Sequence, residues 1–492
     1  MRKILKSLLP TMALLALSYG CSSTPDKGIS IADDAKAYYN KGKAKDELSD
    51  YKGALIDYNR AMELNPDYAE AYSSRGIDRG RLGDLKGTID DCNNAIKLNP
   101  NLAEAYYGRG VAKSKLNNYT KEAIADFDKA IELNPDYAKA YLNRGVTKGM
   151  LGDLNGLIAD CTKAIELDPN LAEAYYNRGV ARGMINDNKG ALADYNKAIE
   201  LNPNYAEAYS NRGSTKGKLG DDKEALADLD RAIELNPNLA EVYTNRGVVN
   251  GKLGDDKKAM ADFDKAIELN PNLAEAYYGR GVAKRKLGYT KESAADLDKA
   301  IELNPNLTDA YYNRGIARNN LGDNENAIAD FTKAIEINPN LAKAYYSRGI
   351  IKSNLANYKE AIVDLTKAIE LNPIVSEAYC GRGVARSNLG DHENAIADYN
   401  KAIELKPNYG EAYNNRGLCE NRLGNYKEAI ADFDKAIELN PNVAEAYGNR
   451  GLAKYKTDDC KGAITDLEKA IELNPSLKDK LQSILDNLKT EM

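Results

Sequence analysis

Residues 172–205 read AEAYYNRGVARGMINDNKGALADYNKAIELNPNY, and nearly the same 34 residues recur along the chain. The prolines mark the period. Of 15, all but Pro10 and Pro25 fall at 66, 100, 135, 169, 203, 237, 271, 305, 339, 373, 407, 441 and 475, in steps of 34 with one of 35. A fixed period of this size signals stacked supersecondary units, none able to bury its apolar face alone. The 492 residues therefore read as one elongated array and not as several globular domains.

Numbering the repeat from Ala172 as position 1 puts Tyr175, Gly179 and Ile185 at 4, 8 and 14, and Ala191, Tyr195 and Ala198 at 20, 24 and 27. Positions 1, 4, 8 and 14 share one helical face, and 20, 24, 27 and 28 a second, so each repeat is read as two antiparallel helices. Sequences such as Leu219-Gly220-Asp221 place a left-handed terminator after the first helix. The proline closes the second helix and starts the next repeat, where its missing N–H does no harm. Gly at position 8 (Gly42 to Gly451) and Ala at position 27 (Ala61 to Ala470) occur in all thirteen repeats. They mark the closest helix approaches, where a larger residue should cost about 1–3 kcal/mol.

At these residues the chain closely resembles the tetratricopeptide repeat family, with Tyr at position 4 in place of the common Trp. The resemblance spans residues 35–477, and it implies an all-α, right-handed superhelical solenoid of thirteen helix-turn-helix units whose first helices line a concave groove. Residues 478–492 read as a capping helix and tail, with Leu481, Ile484, Leu485 and Leu488 on one face to cover the last repeat.

The N-terminus is read as a leader. Arg2, Lys3 and Lys6 precede an apolar run, Leu8 to Leu17, too short to span a bilayer, so residues 1–20 are expected to be a signal peptide. Leu17-Ser18-Tyr19-Gly20-Cys21 resembles a bacterial lipobox, which implies cleavage before Cys21 and lipidation of its thiol, although Ser18 holds the place usual for Leu. Residues 21–34, small and polar, are expected to be a flexible tether. These features imply a lipid-anchored protein on the extracytoplasmic side of a bacterial envelope. Ser22, not Asp, after the cysteine favours an outer membrane where one exists. Cys92, Cys161, Cys380, Cys419 and Cys460 are irregularly spaced and read as core thiols, with a Cys380–Cys419 bridge left open.

Two departures from the family pattern occur together. Position 7 is Arg in twelve repeats, from Arg75 to Arg450, and position 23 is Asp in all thirteen, from Asp57 to Asp466. A coordinated swap of this kind predicts ion pairs between the two helices of a repeat or of neighbours.

Position 6 carries Asn at 40, 143, 177, 211, 245, 313, 415 and 449. By the helical wheel, positions 2, 5, 6, 9 and 13 turn away from the face of 4 and 8, toward the groove. A side-chain amide both donates and accepts, so it can hold a peptide group whatever side chain follows. The row Asn143, Asn177, Asn211, Asn245, Asn313, Asn415 and Asn449, flanked at position 5 by Tyr176, Tyr278 and Tyr312, is the candidate peptide-binding site. It resembles the asparagine ladder in the repeats of O-linked N-acetylglucosamine transferase. Asn that tolerates an exposed face or holds neighbouring helices is the alternative, and Gly108, Gly279 and Gly381 interrupt the row.

A net charge of -6 gives no general attraction for nucleic acid or anionic lipid. Acidic residues at position 2, such as Glu173 and Glu207, oppose Lys at position 13, such as Lys218 and Lys252, which suits proteins or extended peptides of mixed charge. The single His392 excludes clustered His metal sites and His-based triads, and no phosphate-cradling loop or small-molecule site is evident. No cofactor, metal or catalytic residue is expected. The expectation is a non-catalytic interaction scaffold, with a regulatory subunit of an envelope enzyme, such as a cell-wall hydrolase, or a self-assembling spacer as alternatives.

Overall fold

In the computed structural model, residues 31–116 and 119–491 are described. The leader at 1–20, Cys21 and most of the expected tether lie outside them. Among the described residues, twenty-six α-helices form thirteen hairpins, from α1 (Ile31–Glu47) and α2 (Tyr51–Leu64) to α25 (Ala444–Lys456) and α26 (Cys460–Leu473). A 3-10 turn, Pro475–Leu477, and α27 (Lys478–Glu491) follow. The hairpins group into two compact units, one ending at Pro203 and the other beginning at Asn204.

One boundary needs correction. Residues 31–34, assigned to the tether by composition, already form the first turn of α1, where Asp33 and Asp34 complement the positive end of the helix.

The turn within each repeat needs a left-handed residue. Gly83, Gly152, Gly220, Gly254 and Gly288 adopt φ of 80–94°, as do Gly322, Gly390 and Gly424. Where glycine is missing, Ser49, Tyr119, Asn186, Ala356 and Asp458 take φ of 61–65° instead. The next residue caps the second helix: Asp84 accepts from the Gly87 amide at 2.9 Å, and Asp187 from that of Gly190 at 2.9 Å.

Packing follows the glycine and alanine pattern. A methyl group on Gly179 would stand 2.8 Å from the Tyr195 ring, and one on Gly315 would stand 2.9 Å from that of Phe331. Position 24 varies among Tyr, Phe, Leu and Cys, yet stays at most 3 % exposed in every repeat. Ala at position 27 is buried throughout. At the C-terminus, Leu481, Leu485 and Leu488 of α27 pack on Ala463, Leu467 and Ala470.

Within each unit the first helices of successive repeats also touch each other. Examples are α3 (Ala69–Arg81) with α5 (Ala103–Leu116), and α13 (Ala240–Lys252) with α15 (Ala274–Lys286). Among the described residues no comparable packing joins successive second helices. The first helices therefore line the inner face of each unit.

Candidate peptide-binding groove

The Arg and Asp of positions 7 and 23 form one repeating device. Arg450 donates from Nε to Asp466 Oδ2 at 2.8 Å and from Nη2 to Oδ1 at 2.6 Å, while its Nη1 reaches back to Asp434 Oδ1 of the preceding repeat at 2.6 Å. Its guanidinium also lies over the Tyr447 ring, 5.4 Å from the centroid. The hydrogen bond to Asp466 is the main reason the Arg450 pKa is raised above its ordinary value, against the opposing cost of burial. Equivalent forks join Arg75 to Asp91, Arg144 to Asp160, Arg280 to Asp296 and Arg382 to Asp398. The pairing lies within the repeat, and the third donor stitches each repeat to its predecessor.

Two further positions complete the device, and neither stands out by spacing alone. Position 11 supplies a second cation to the same Asp, as in Lys284–Asp296 at 2.8 Å and Arg386–Asp398 at 2.8 Å. Position 25 supplies the oxygen that receives Nη1, from Asn59, Asp128, Thr332 or Asn400. The signal that could have found it is an oxygen-bearing residue at position 25 in every repeat. These arginines are thereby committed to the framework.

The position-6 asparagines lie on the seam between successive first helices. Asn143 Nδ2 donates to Lys139 O at 2.9 Å and to the Tyr107 hydroxyl of the preceding repeat at 3.3 Å. Asn313 Nδ2 does the same with Asp309 O at 2.8 Å and the Tyr278 hydroxyl at 3.4 Å. Asn177 bonds to Glu173 O at 2.8 Å, and Asn245 reaches Ser210 Oγ at 3.5 Å. Asn211, Asn415 and Asn449 are half-buried, with Asn415 beside Cys380. Asn313 is buried, at 8 % exposure. Among the described residues no donor is bonded to the amide oxygen of Asn143, Asn177 or Asn313.

The glycines that interrupt the row show the same crowding. A methyl group on Gly279 would collide with the Phe263 ring, and one on Gly381 would meet Ile350 at 2.7 Å.

The flanking tyrosines are packed more than displayed. Tyr176 lies 6.2 Å from the Tyr195 ring, and Tyr312 lies 5.6 Å from that of Phe331. Burial raises the Tyr278 hydroxyl above its usual range. The inner face owes its apolar surface to position 9, a stripe of Val, Ile and Leu that includes half-buried Val146, Val180 and Val282 and exposed Val248. The helical wheel turns position 9 toward the groove, and its aliphatic side chains in most repeats are the signal that marks the stripe.

Hollows open beside the stripe in both units. The first, about 240 Å³, lies among Ile77, Val111, Tyr107 and Tyr137. The second, about 420 Å³, lies among Leu418, Leu452, Tyr455 and Ile484. Among the described residues no cluster of His, Cys, Asp and Glu is arranged to hold a metal, all five cysteines are free, and no helix is long and apolar enough to cross a membrane.

A solenoid of helical hairpins repeated at fixed spacing is the architecture of a protein-interaction scaffold. The chain belongs to the tetratricopeptide repeat family. Family models described as tetratricopeptide repeat match residues 35–68, 161–193, 240–273, 274–307, 308–341, 342–374, 376–409, 410–443 and 444–477. A further model described as TPR repeat matches 115–152, 185–220 and 216–254.

Among solved structures, Cut9 in its APC/C complex with Hcn1 is 15 % identical with a TM-score of 0.49, over 93 % of this chain and 96 % of that one. YrrB, a repeat protein with an unusual peptide-binding site, is 27 % identical with a TM-score of 0.35, over 37 % of this chain and 95 % of its own. A repeat protein from Parabacteroides merdae is 22 % identical with a TM-score of 0.38, over 51 % and 98 %. No curated protein matches the chain.

Proposed function

We propose that this protein is a lipid-anchored scaffold of a bacterial envelope that holds extended segments of partner proteins along the inner face of its repeats. The observation that carries this reading is the combination of unused amide oxygens at Asn143, Asn177 and Asn313 with the aliphatic stripe at position 9. Asn143 and Asn177 stand one repeat apart, a spacing that suits a peptide backbone, and the aliphatic residues between them suit its side chains. Many weak contacts summed along an array give affinity without a deep site. The leader and Cys21 support an extracytoplasmic membrane address, with the outer membrane as the destination where one exists. In this reading the protein supplies position and its partners supply chemistry.

Proximity crosslinking in the native cell tests this. The intact protein is compared with a variant carrying Asn177, Asn211 and Asn245 changed to Ala, after both are shown to be equally helical and equally anchored. Loss of a discrete set of partners supports binding on the inner face, and an unchanged set sinks it. Cys21→Ser should release the protein from the membrane fraction, and retention would refute the anchor.

A further inference from the structure

The hollow at the C-terminal end of the inner face differs from the rest of the groove. Its floor is apolar: Leu418 and Leu452 from position 9 of repeats twelve and thirteen, Tyr426, Tyr455, and Ile484 of the capping helix. Tyr455 stands at position 12, where other repeats have small or polar residues or Arg285. The cap therefore does more than cover the last core, since it also walls a cavity of about 420 Å³. That is near the lower end of the range, roughly 300–1,000 Å³, that encloses a drug-sized ligand. It suits one bulky side chain with its adjoining peptide.

The rim carries Arg422 and Lys456, the position-13 residues of the same two repeats. Both are exposed, and among the described residues neither forms an ion pair. Arg422 donates only to Ser387 O at 3.4 Å, and Lys456 lies 5.7 Å from the Tyr455 ring centroid. The neighbouring Glu420 is engaged elsewhere, accepting from Asn425 Nδ2 at 2.7 Å. Of the equivalent cations elsewhere, Arg81 is tied to Asp46 and Asp78, Lys286 to Asp256 at 3.0 Å, and Lys252 donates to Gly217 O at 2.6 Å, while among the described residues Lys115 and Lys218 form no ion pair. Asn421 also lines the hollow, and its buried amide oxygen has no hydrogen-bond donor. A buried acceptor of this kind is costly to leave unpaired.

We infer that this hollow docks an acidic linear segment of a partner protein, with one bulky apolar side chain on the floor and Asp or Glu beside it on Arg422 and Lys456. Charge complementarity selects the segment. Two cations without an ion pair beside an apolar floor favour a segment that carries the opposite charge. This rests on the inner-face reading above and names the partner chemistry for one part of it.

The test uses the full chain and short labelled peptides with amidated C-termini, read by fluorescence anisotropy. One peptide has a central Phe flanked by Asp and Glu, a second has Lys flanks, and a third has Ala in place of Phe. The acidic Phe peptide should bind best, with affinity that falls as salt rises. Charge reversal by Arg422→Glu with Lys456→Glu should weaken it at least about tenfold and make the Lys-flanked peptide the better ligand. That exchange of preference also shows that the variant is folded. Ile484→Arg should weaken the acidic peptide without reversing the preference.

Affinities indifferent to flanking charge, or unchanged in the reversed variant, overturn the inference. If they do so while cellular partners still depend on the asparagine row, the inner-face reading stands and only this pocket assignment fails. If the asparagine variant also keeps every partner, both fail.

Discussion

Asp296→Ala and Asp432→Ala should destabilise the protein by different amounts for a reason visible in the fork. Both carboxylates are 6 % exposed. Asp296 receives Nε and Nη2 of Arg280 at 2.8 and 2.6 Å, and Nζ of Lys284 at 2.8 Å. Asp432 receives only the two bonds from Arg416, at 2.9 and 2.5 Å, because Glu420 stands where the other repeat has Lys284. Removing one side of a buried pair costs about 3–5 kcal/mol. Arg280 retains Asp264 at 2.6 Å and its side chain is 18 % exposed, which favours the lower end. The expectation is about 3 kcal/mol for Asp296→Ala and about 2 kcal/mol for Asp432→Ala, the difference being roughly one net charge-assisted bond.

Hydrogen exchange of the intact chain reads this locally, because an array opens in short cooperative stretches. Protection in α15 and α16 (Thr290–Leu303) should fall by about a hundredfold in the first variant. In the second, α23 (Gly410–Leu423) and α24 (Tyr426–Leu439) should lose several times less. Replacing both members, Arg280→Met with Asp296→Leu, should recover most of the loss. Equal losses at the two sites, or less than a tenfold loss at the first, would refute the reasoning.

Asp78 is fully buried, and burial, then the charge of Asp46, pushes its carboxyl up to about 7 against the pull of Arg81. A raised acid pKa means the folded chain holds the proton more tightly, so its stabilising effect is full below the ordinary value near 4 and is lost as pH rises through about 7. Asp78→Asn should therefore raise the melting temperature at pH 8 and leave it nearly unchanged at pH 4; equal shifts at both would contradict this. Ala356→Gly should stabilise by about 0.5–1 kcal/mol by freeing a left-handed turn at φ 61° of its side-chain strain, measured as a shift in denaturant midpoint, and a loss would refute it. Burial pushes the thiols of Cys92, Cys161 and Cys380 up to about 12, so alkylation at pH 8 should mark half-buried Cys460 well before them; early labelling of Cys92 would show the core to be open.

The period, the two helices of each repeat and the tight contacts at Gly179 and Ala198 could be read from the sequence, because they depend on spacing and residue size. The Arg–Asp fork was readable too, since opposite charges that enter together at two fixed positions, repeat after repeat, are placed to neutralise each other. Its third and fourth members were not, because position 25 varies among Asn, Asp, Thr and Glu and shares only an oxygen. The helical wheel sent Asn143 and Asn313 toward the groove, but a wheel describes one helix. It cannot show that Tyr107 and Tyr278 of the preceding repeat come within reach of those amides. The start of α1 was hidden for a similar reason, since Asp33 and Asp34 suit a helix N-terminus as well as they suit a polar tether.

The central claim is that partners are held on the inner face. A photo-crosslinking residue at Val146 or Val282, on first helices, can be compared in the native cell with one at exposed Ala159 or Ala295, on second helices. The account predicts discrete polypeptide adducts from Val146 and Val282 and none from the other two. Adducts from Ala159 and Ala295 alone would place binding on the outer face and contradict it.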